Sequence, residues 1–413
     1  MPTPRNTIAL TREGQSPRGS AADALAGIGP APRSLYVHIP FCFHKCHYCD
    51  FYSFVDSRDQ QAAFTDALGA ELRFLGAFAE RIDTVFVGGG TPSLLRVDLW
   101  DRVVAALHAS FRLAPGAEFT VECNPETVSP ELMRTLRAGG VTRVSMGAQS
   151  FDTRHLKTLE RWHDPASVAR ALDLAAEAGI ARRSIDLIYA IPGQTMDDWQ
   201  RDLERALTLP IEHISCYALT YEPNTPMTVR MERGEFEAAE DDVETAMNER
   251  TVAMARGAGF HRYEVSNFAR GEHARCAHNM VYWRSGEWLA AGPSASAHVA
   301  GHRWKNVPRL GDWMAGVHAS GGASPIVDHE PPDARRALAE RIMMGIRTDE
   351  GLDWADIGAR AAALDRAEQV ERALAGVIER GWAARAEKRV RLTDPGYHFA
   401  DGVASTLIAA LRR

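Results

Sequence analysis

The sequence predicts an α/β fold, an open, partial (β/α)6 barrel followed by a smaller, mainly helical C-terminal domain. Three observations carry this reading. From Ser34 onward, short β-branched runs alternate with amphipathic helical stretches, the pattern of β/α units wound around a parallel sheet. Six such units precede the point where the alternation weakens, too few for a closed eight-fold barrel. Finally, 413 residues with 45% hydrophobic content suffice for one large core and a smaller second one.

Taken in order, residues 1–33 are rich in Gly, Pro, Arg, Ser and Ala without an apolar h-region, so they read as a disordered leader rather than a secretory signal. Glu13 and Asp23 interrupt the Arg-bearing stretch and count against a transit peptide. Strands are predicted over 35–39, 82–87, 118–122, 143–146, 184–188 and 213–219. Between them, Phe64, Leu68, Leu72 and Leu75 mark one helix face, and Leu99, Val103 and Leu107 another. The stretch from Glu222 to Pro226 reads as a loop that ends the core at about 222, with a charged helix beyond it. An extension over 223–327 follows. A third region over 328–413 opens near Pro331 and Pro332 and runs through helical patterns, a short strand at Arg389 and a final apolar helix.

A net charge of −7 argues against a broad nucleic-acid footprint, so no nucleic-acid partner is expected. Six scattered cysteines do not form a secreted disulfide framework, and a reducing cytoplasm is the natural compartment. No run of about 18 apolar residues occurs, so any membrane contact would be peripheral.

Chemistry concentrates after the first strand. Cys42, Cys46 and Cys49 stand in a C-x3-C-x2-C spacing, three thiolates within eight residues. Structural zinc takes four donors, usually as two C-x2-C pairs; a [4Fe-4S] cluster can take three and leave one iron open. His44, His47 or Asp50 could complete a zinc site, and that alternative stays open on spacing alone. In parallel β/α sheets, functional groups gather at the carboxyl ends of strands. The other candidates obey this: Gly88 to Pro92 follow the second strand, Glu122 ends the third, Gln149 lies after the fourth and Asp186 lies in the fifth.

The cysteine spacing, with an aromatic in its last gap, resembles the radical S-adenosylmethionine (SAM) superfamily, in which the open iron binds the amino and carboxylate groups of SAM. Residues 36–41 narrow the resemblance to the branch containing oxygen-independent coproporphyrinogen III dehydrogenase and the HemW haem chaperones. The resemblance implies that Cys42, Cys46 and Cys49 hold a [4Fe-4S] cluster. It implies further that Tyr36, Gly89, Gly90, Thr91, Glu122, Gln149, Arg161 and Asp186 surround SAM. The glycines could equally be a plain turn, and Arg161 a surface residue paired with Asp164. The C-terminal region is similar to the winged-helix-like domain that ends proteins of this branch, where a packing role is favoured over DNA binding.

Two places separate the branches. The dehydrogenases carry a fourth cysteine two residues after the third, where this chain has Phe51, as the chaperones do. His278, Asn279, Tyr282 and Trp283 match an H-N-x-x-Y-W motif that the chaperone family associates with haem, and imidazole is a suitable axial ligand. Cys276 offers a second possible iron ligand, or a small buried thiol. The resemblance therefore implies a haem carrier delivering to apo-haemoproteins, respiratory ones at the membrane surface, with cluster and SAM governing transfer or the formation of a homodimer. The alternative it leaves is radical decarboxylation of coproporphyrinogen III.

Overall fold

A computed structural model describes residues 19–29 and 32–412. Six parallel strands form its centre: β1 (Ser34–Ile39), β2 (Ile82–Gly89), β3 (Leu113–Cys123), β4 (Arg143–Gln149), β5 (Arg182–Tyr189) and β6 (His213–Ala218). They lie side by side in that order, each parallel to the next. The predicted strands are all present, most of them longer than their β-branched hearts.

The helices between them, including Gln61–Leu75, Val97–Ser110, Pro130–Ala138 and Met196–Leu207, cover the outer face. Their ends are signalled locally. Ser129 caps the amide of Leu132 ahead of a proline at the first helical position, and Thr195 forms a reciprocal capping box with Asp198. Three tryptophans anchor this layer with buried rings and satisfied indole N–H groups. Trp100 donates to the Pro92 carbonyl at 3.1 Å, Trp199 to Thr251 at 3.0 Å and Trp313 to Ser324 at 2.9 Å.

The extension after residue 222 is not a separate body. Leu289–Ala291 pairs in parallel with β1, while Asn267–Ala269 runs antiparallel to β6 with His261–Arg262 outside it. Both edges of the sheet therefore come from late in the chain, where sequence alternation had faded because these strands are only two or three residues long. A small antiparallel sheet of Ser296–Val299, His302–Asn306 and Ile326–Glu330 packs beside them.

The leader also needs correction. Residues 1–18, 30 and 31 lie outside the described residues, but Ala21–Ala24 is a helical turn with a Ser20–Asp23 capping box. Ala21, Ala24 and Leu25 are buried, and the Ala21 amide donates to the Ser324 carbonyl at 2.8 Å. Three small apolar residues sufficed to dock a segment whose composition reads as disordered.

The last region has its own core, built on Leu338, Ile342, Leu374, Val403 and Leu407, with a sheet of Leu352–Asp353, Ala383–Ala386 and Arg389–Leu392. Arg275 grips Asp349 at 2.6 Å, and the Arg262 guanidinium lies 3.5 Å over the Tyr397 ring, fixing this domain to the barrel. Among the described residues, no helix is long and apolar enough to cross a membrane.

Glu71, buried on the Gln61–Leu75 helix, ties the late sheet back to the barrel. It accepts from the Gly292 amide at 2.7 Å, from Asn306 at 2.9 Å and from Ser324. Burial lifts its carboxyl to about 7 against the pull of those donors. A carboxyl raised in the fold favours folding most below its unfolded value of 4.5 and loses that advantage as pH rises through about 7, on the order of 3 kcal/mol across the window. Glu71→Gln is therefore expected to show a shallower decline in thermal midpoint between about pH 4.5 and 7.5 than the wild type. Equal slopes would show that Glu71 does not titrate there.

Candidate functional site

The carboxyl ends of β1–β6 open into one cavity of about 640 Å3. Cys42, Cys46 and Cys49 line it together, and none is in a disulfide. The loop that carries them is held from outside itself. The His47 amide donates to the Leu159 carbonyl at 3.3 Å, and the His47 carbonyl accepts from the Met227 amide at 2.9 Å. Burial pushes the Cys49 thiol up to about 12, with Cys46 and Cys42 adding to the shift, so the three sulfurs share one desolvated neighbourhood.

The donor set fits a polynuclear cluster. Three thiols line the cavity together, one fewer protein donor than structural zinc takes and the number that leaves one iron of a [4Fe-4S] cluster open. Thr91 donates to the Cys42 sulfur at 3.6 Å, and the Arg161 guanidinium stands 3.9 Å from the Cys46 sulfur, contacts that favour thiolates. Of the imidazoles that could have completed a zinc site, His44 lines the cavity but lies 3.6 Å from Glu160, and His47 meets Arg230 at 3.4 Å.

After β2 the chain makes its glycine turn against the first strand. Gly89 has φ +109, and a Cβ there would lie 2.5 Å from the His38 ring. A Cβ on Gly90 would lie 2.7 Å from the Phe41 carbonyl. The turn's amides are committed internally, Gly89 to Glu122 at 3.2 Å, Gly90 to the Ile39 carbonyl at 2.8 Å and Thr91 to the Phe41 carbonyl at 2.7 Å. The amides are thus not the groups that would meet a ligand.

Glu122 and Asp186 face each other across the floor. Burial raises both carboxyls, Glu122 to about 7 with Asp186 contributing, while Ser145 donates to Asp186 at 3.3 Å. Tyr36 lies beside them, its hydroxyl 3.1 Å from His38 Nδ1. Gln149 enters from a bulge at the end of β4, with φ +64. Arg161 is no surface partner of Asp164: its guanidinium donates to the Gly147 carbonyl at 2.9 Å. Burial opposes its charge, yet neighbouring Tyr48 and Cys46 hold it above the usual range. All eight expected SAM neighbours line this cavity.

His278 does not. It is fully buried on the short helix Ala277–Trp283, with Nδ1 2.8 Å from the Thr84 hydroxyl and Nε2 2.8 Å from the Tyr282 hydroxyl. Both ring nitrogens are occupied, so it presents no lone pair to an iron. Tyr282 and Asn279 of the same motif reach the cavity instead. Cys276 is buried against Glu118 at 3.5 Å and is a packed thiol.

The reading of the sequence missed Arg143, Ser145, Ser215 and Tyr217, all of which line the cavity. A signal was present. Side chains alternate faces along a strand, so Arg143, Ser145 and Gly147 share the face of the bulged Gln149, as Ser215 and Tyr217 share one on β6. Polar residues at period two within strands buried on both faces mark the inward stripe.

Comparison with known proteins agrees with this geometry. A family model described as the radical SAM superfamily matches residues 36–206, and one described as the HemN C-terminal domain matches residues 333–399. The heme chaperone HemW of Mycobacterium tuberculosis is 36% identical over 392 residues, covering 93% of this chain and 97% of its own. That of Bacillus subtilis is 30% identical over 393 residues, covering 92% and 100%. Radical S-adenosyl methionine domain-containing protein 1, mitochondrial, of Danio rerio is 34% identical over 334 residues, covering 77% and 73%. Coproporphyrinogen III oxidase (HemN) from Escherichia coli shares the fold with a TM-score of 0.79 at 23% identity, covering 93% of this chain and 92% of its own.

The glycine turn gives a direct test of the floor. Gly89→Ala is expected to cost about 1–3 kcal/mol through its positive φ and its clash with His38, read as a lower thermal midpoint. An unchanged midpoint would mean the turn relaxes freely.

Proposed function

Because this chain belongs to the HemW family of the radical SAM superfamily, we propose that it is a haem carrier that delivers haem to apo-haemoproteins, with respiratory proteins as recipients. The observation that carries the reading is the match to heme chaperones along nearly the whole chain, 36% identical over 93% of it. Phe51 supports it, standing where the dehydrogenase pattern has a fourth cysteine. No nucleic-acid partner is part of the proposal. The cytoplasm is the compartment, membrane contact is peripheral, and a homodimer is a form transfer could require.

In this reading Cys42, Cys46 and Cys49 would hold a [4Fe-4S] cluster, whose open iron would supply a site for the amino and carboxylate groups of SAM. The chain's own groups do the rest. Arg161, fixed by Gly147, presents a guanidinium beside Cys46 and can pair with a carboxylate. Glu122, fixed by Gly89, together with Asp186 offers negative charge to an ammonium or ribose hydroxyls. Tyr36, Gly90, Thr91 and Gln149 close the polar wall and exclude bulk water. His278 is a positioning residue here, holding Tyr282 against the cavity.

Two measurements test this. If ionised Glu122 accepts a hydrogen bond from the SAM amino group, SAM affinity of the reconstituted protein should rise about ten-fold from pH 6 to pH 8, the ratio of ionised fractions either side of about 7. Glu122→Gln should flatten that dependence; a flat profile in the wild type would remove Glu122 from the role.

The second is a haem titration followed by transfer to an apo-acceptor, run beside an anaerobic assay with reductant, SAM and coproporphyrinogen III. Haem uptake and transfer are expected without protoporphyrinogen. His278→Ala should leave the Soret maximum of bound haem in place while lowering the thermal midpoint, since two buried hydroxyls lose their partner. Protoporphyrinogen at more than trace turnover would overturn the carrier reading.

A further inference from the structure

The cavity is divided by depth. Its floor is polar, with Arg143, Glu122, Asp186, Ser145 and Ser215 buried there. Its mouth is apolar. Phe43, Phe51, Val55, Trp162 and Tyr217 are hydrophobic side chains that stand exposed, and the first four lie on, pair with or stack against the loop that carries the cysteines. Phe51 and Tyr217 line the opening, Phe43 directly follows the lining residue Cys42, and Val55 is the residue paired with Cys42 where Phe41–Cys42 runs parallel to Phe54–Val55. Trp162, 58% exposed, stacks on the lining residue His44 at 4.3 Å and 9°. A cluster of exposed aromatics of this kind marks a binding surface.

We propose that this collar is where haem docks, its macrocycle lying across the mouth on Phe43, Phe51 and Trp162 with its propionates toward Lys45. The assignment rests on the haem-carrier reading and gives it a place. Four observations choose the occupant. The collar supplies flat aromatic surface suited to a porphyrin face. Lys45 lines the mouth with no ion-pair partner among the described residues, while the neighbouring Glu160 is engaged by the Trp162 indole at 3.3 Å and by His44, so an exposed cation is available to the haem propionates. The floor would have to set the buried carboxyls of Glu122 and Asp186 against an apolar ring to take the macrocycle, which leaves any charge on them uncompensated. His278, the other candidate, has both ring nitrogens bonded.

Haem so placed lies over the cysteine loop and outside the barrel. An acceptor can approach its open face directly, and any change in the order of the loop moves Phe43, Lys45 and Phe51 with it.

The test uses the full chain with its cluster reconstituted, comparing wild type, the double variant Phe51→Ser/Trp162→Ser, and Lys45→Ala. Haem affinity is read from Soret difference spectra, with SAM binding and iron content as controls. The double variant is expected to bind haem at least ten-fold more weakly with both controls unchanged. Lys45→Ala should weaken haem but not haem dimethyl ester, whose propionates are blocked. Haem affinity within two-fold of wild type in the double variant would overturn the proposal. Unchanged affinity with slowed transfer would give the collar to the acceptor protein instead, which also overturns it. If the wild type itself takes up no haem, the carrier reading falls, and the collar assignment with it.

Discussion

A single buried carboxylate holds the two halves of this molecule in register. Glu118, on β3, accepts the backbone amides of Ala277 and His278 at 2.9 Å each and pairs with Arg182 at 2.8 Å. Burial works against its charge, but Arg143, Arg182 and the two amides hold its carboxyl below the ordinary range. Removing it would leave two buried amides without their acceptor and deprive Arg143 and Arg182 of their shared carboxylate. Through this contact the late segment of the chain is fixed, and with it Tyr282 on the cavity wall.

The same guanidinium serves the floor. Arg143 stands between Glu118 and Asp186, and although burial opposes its charge, its neighbours keep it firmly protonated. The barrel interior is thus a balanced set of buried charges, not an apolar core with a polar lid. That balance makes the depth suited to a zwitterion and unsuited to a macrocycle. The mouth shows the opposite character, with Phe43 and Phe51 exposed on the loop whose cysteines line the cavity.

How much of this could be read in the chain follows from the range of each signal. The six central strands and the helices with Phe64 or Leu99 on their faces are local patterns, and they were legible within a residue or a few at their ends. The cysteine loop was legible because its three cysteines sit within eight residues. The edge strands were not, because Leu289–Ala291 is a strand only by pairing with β1, some 250 residues earlier (289 − 35 = 254). His278 misled for the same reason: its motif is local, but the Thr84 hydroxyl that occupies its ring lies 194 residues away in sequence. The polar stripe through Arg143 and Ser145 was local and visible at period two, and went unread because a strand rich in polar residues is ordinarily taken for an exposed one.

The pair of hydrogen bonds that suspends the cysteine loop, from Leu159 on one side and Met227 on the other, has a consequence for how the protein is made. The cysteines leave the ribosome early, whereas Met227 follows His47 by 180 residues (227 − 47). At about 5–20 residues per second, the thiols wait roughly 10–40 seconds for the scaffold that shapes their loop. For that interval they are ordinary accessible cysteines, open to oxidation or to a competing soft metal. If the loop takes the cluster proposed above, loading would fall at the end of synthesis, once the scaffold that shapes the loop is in place.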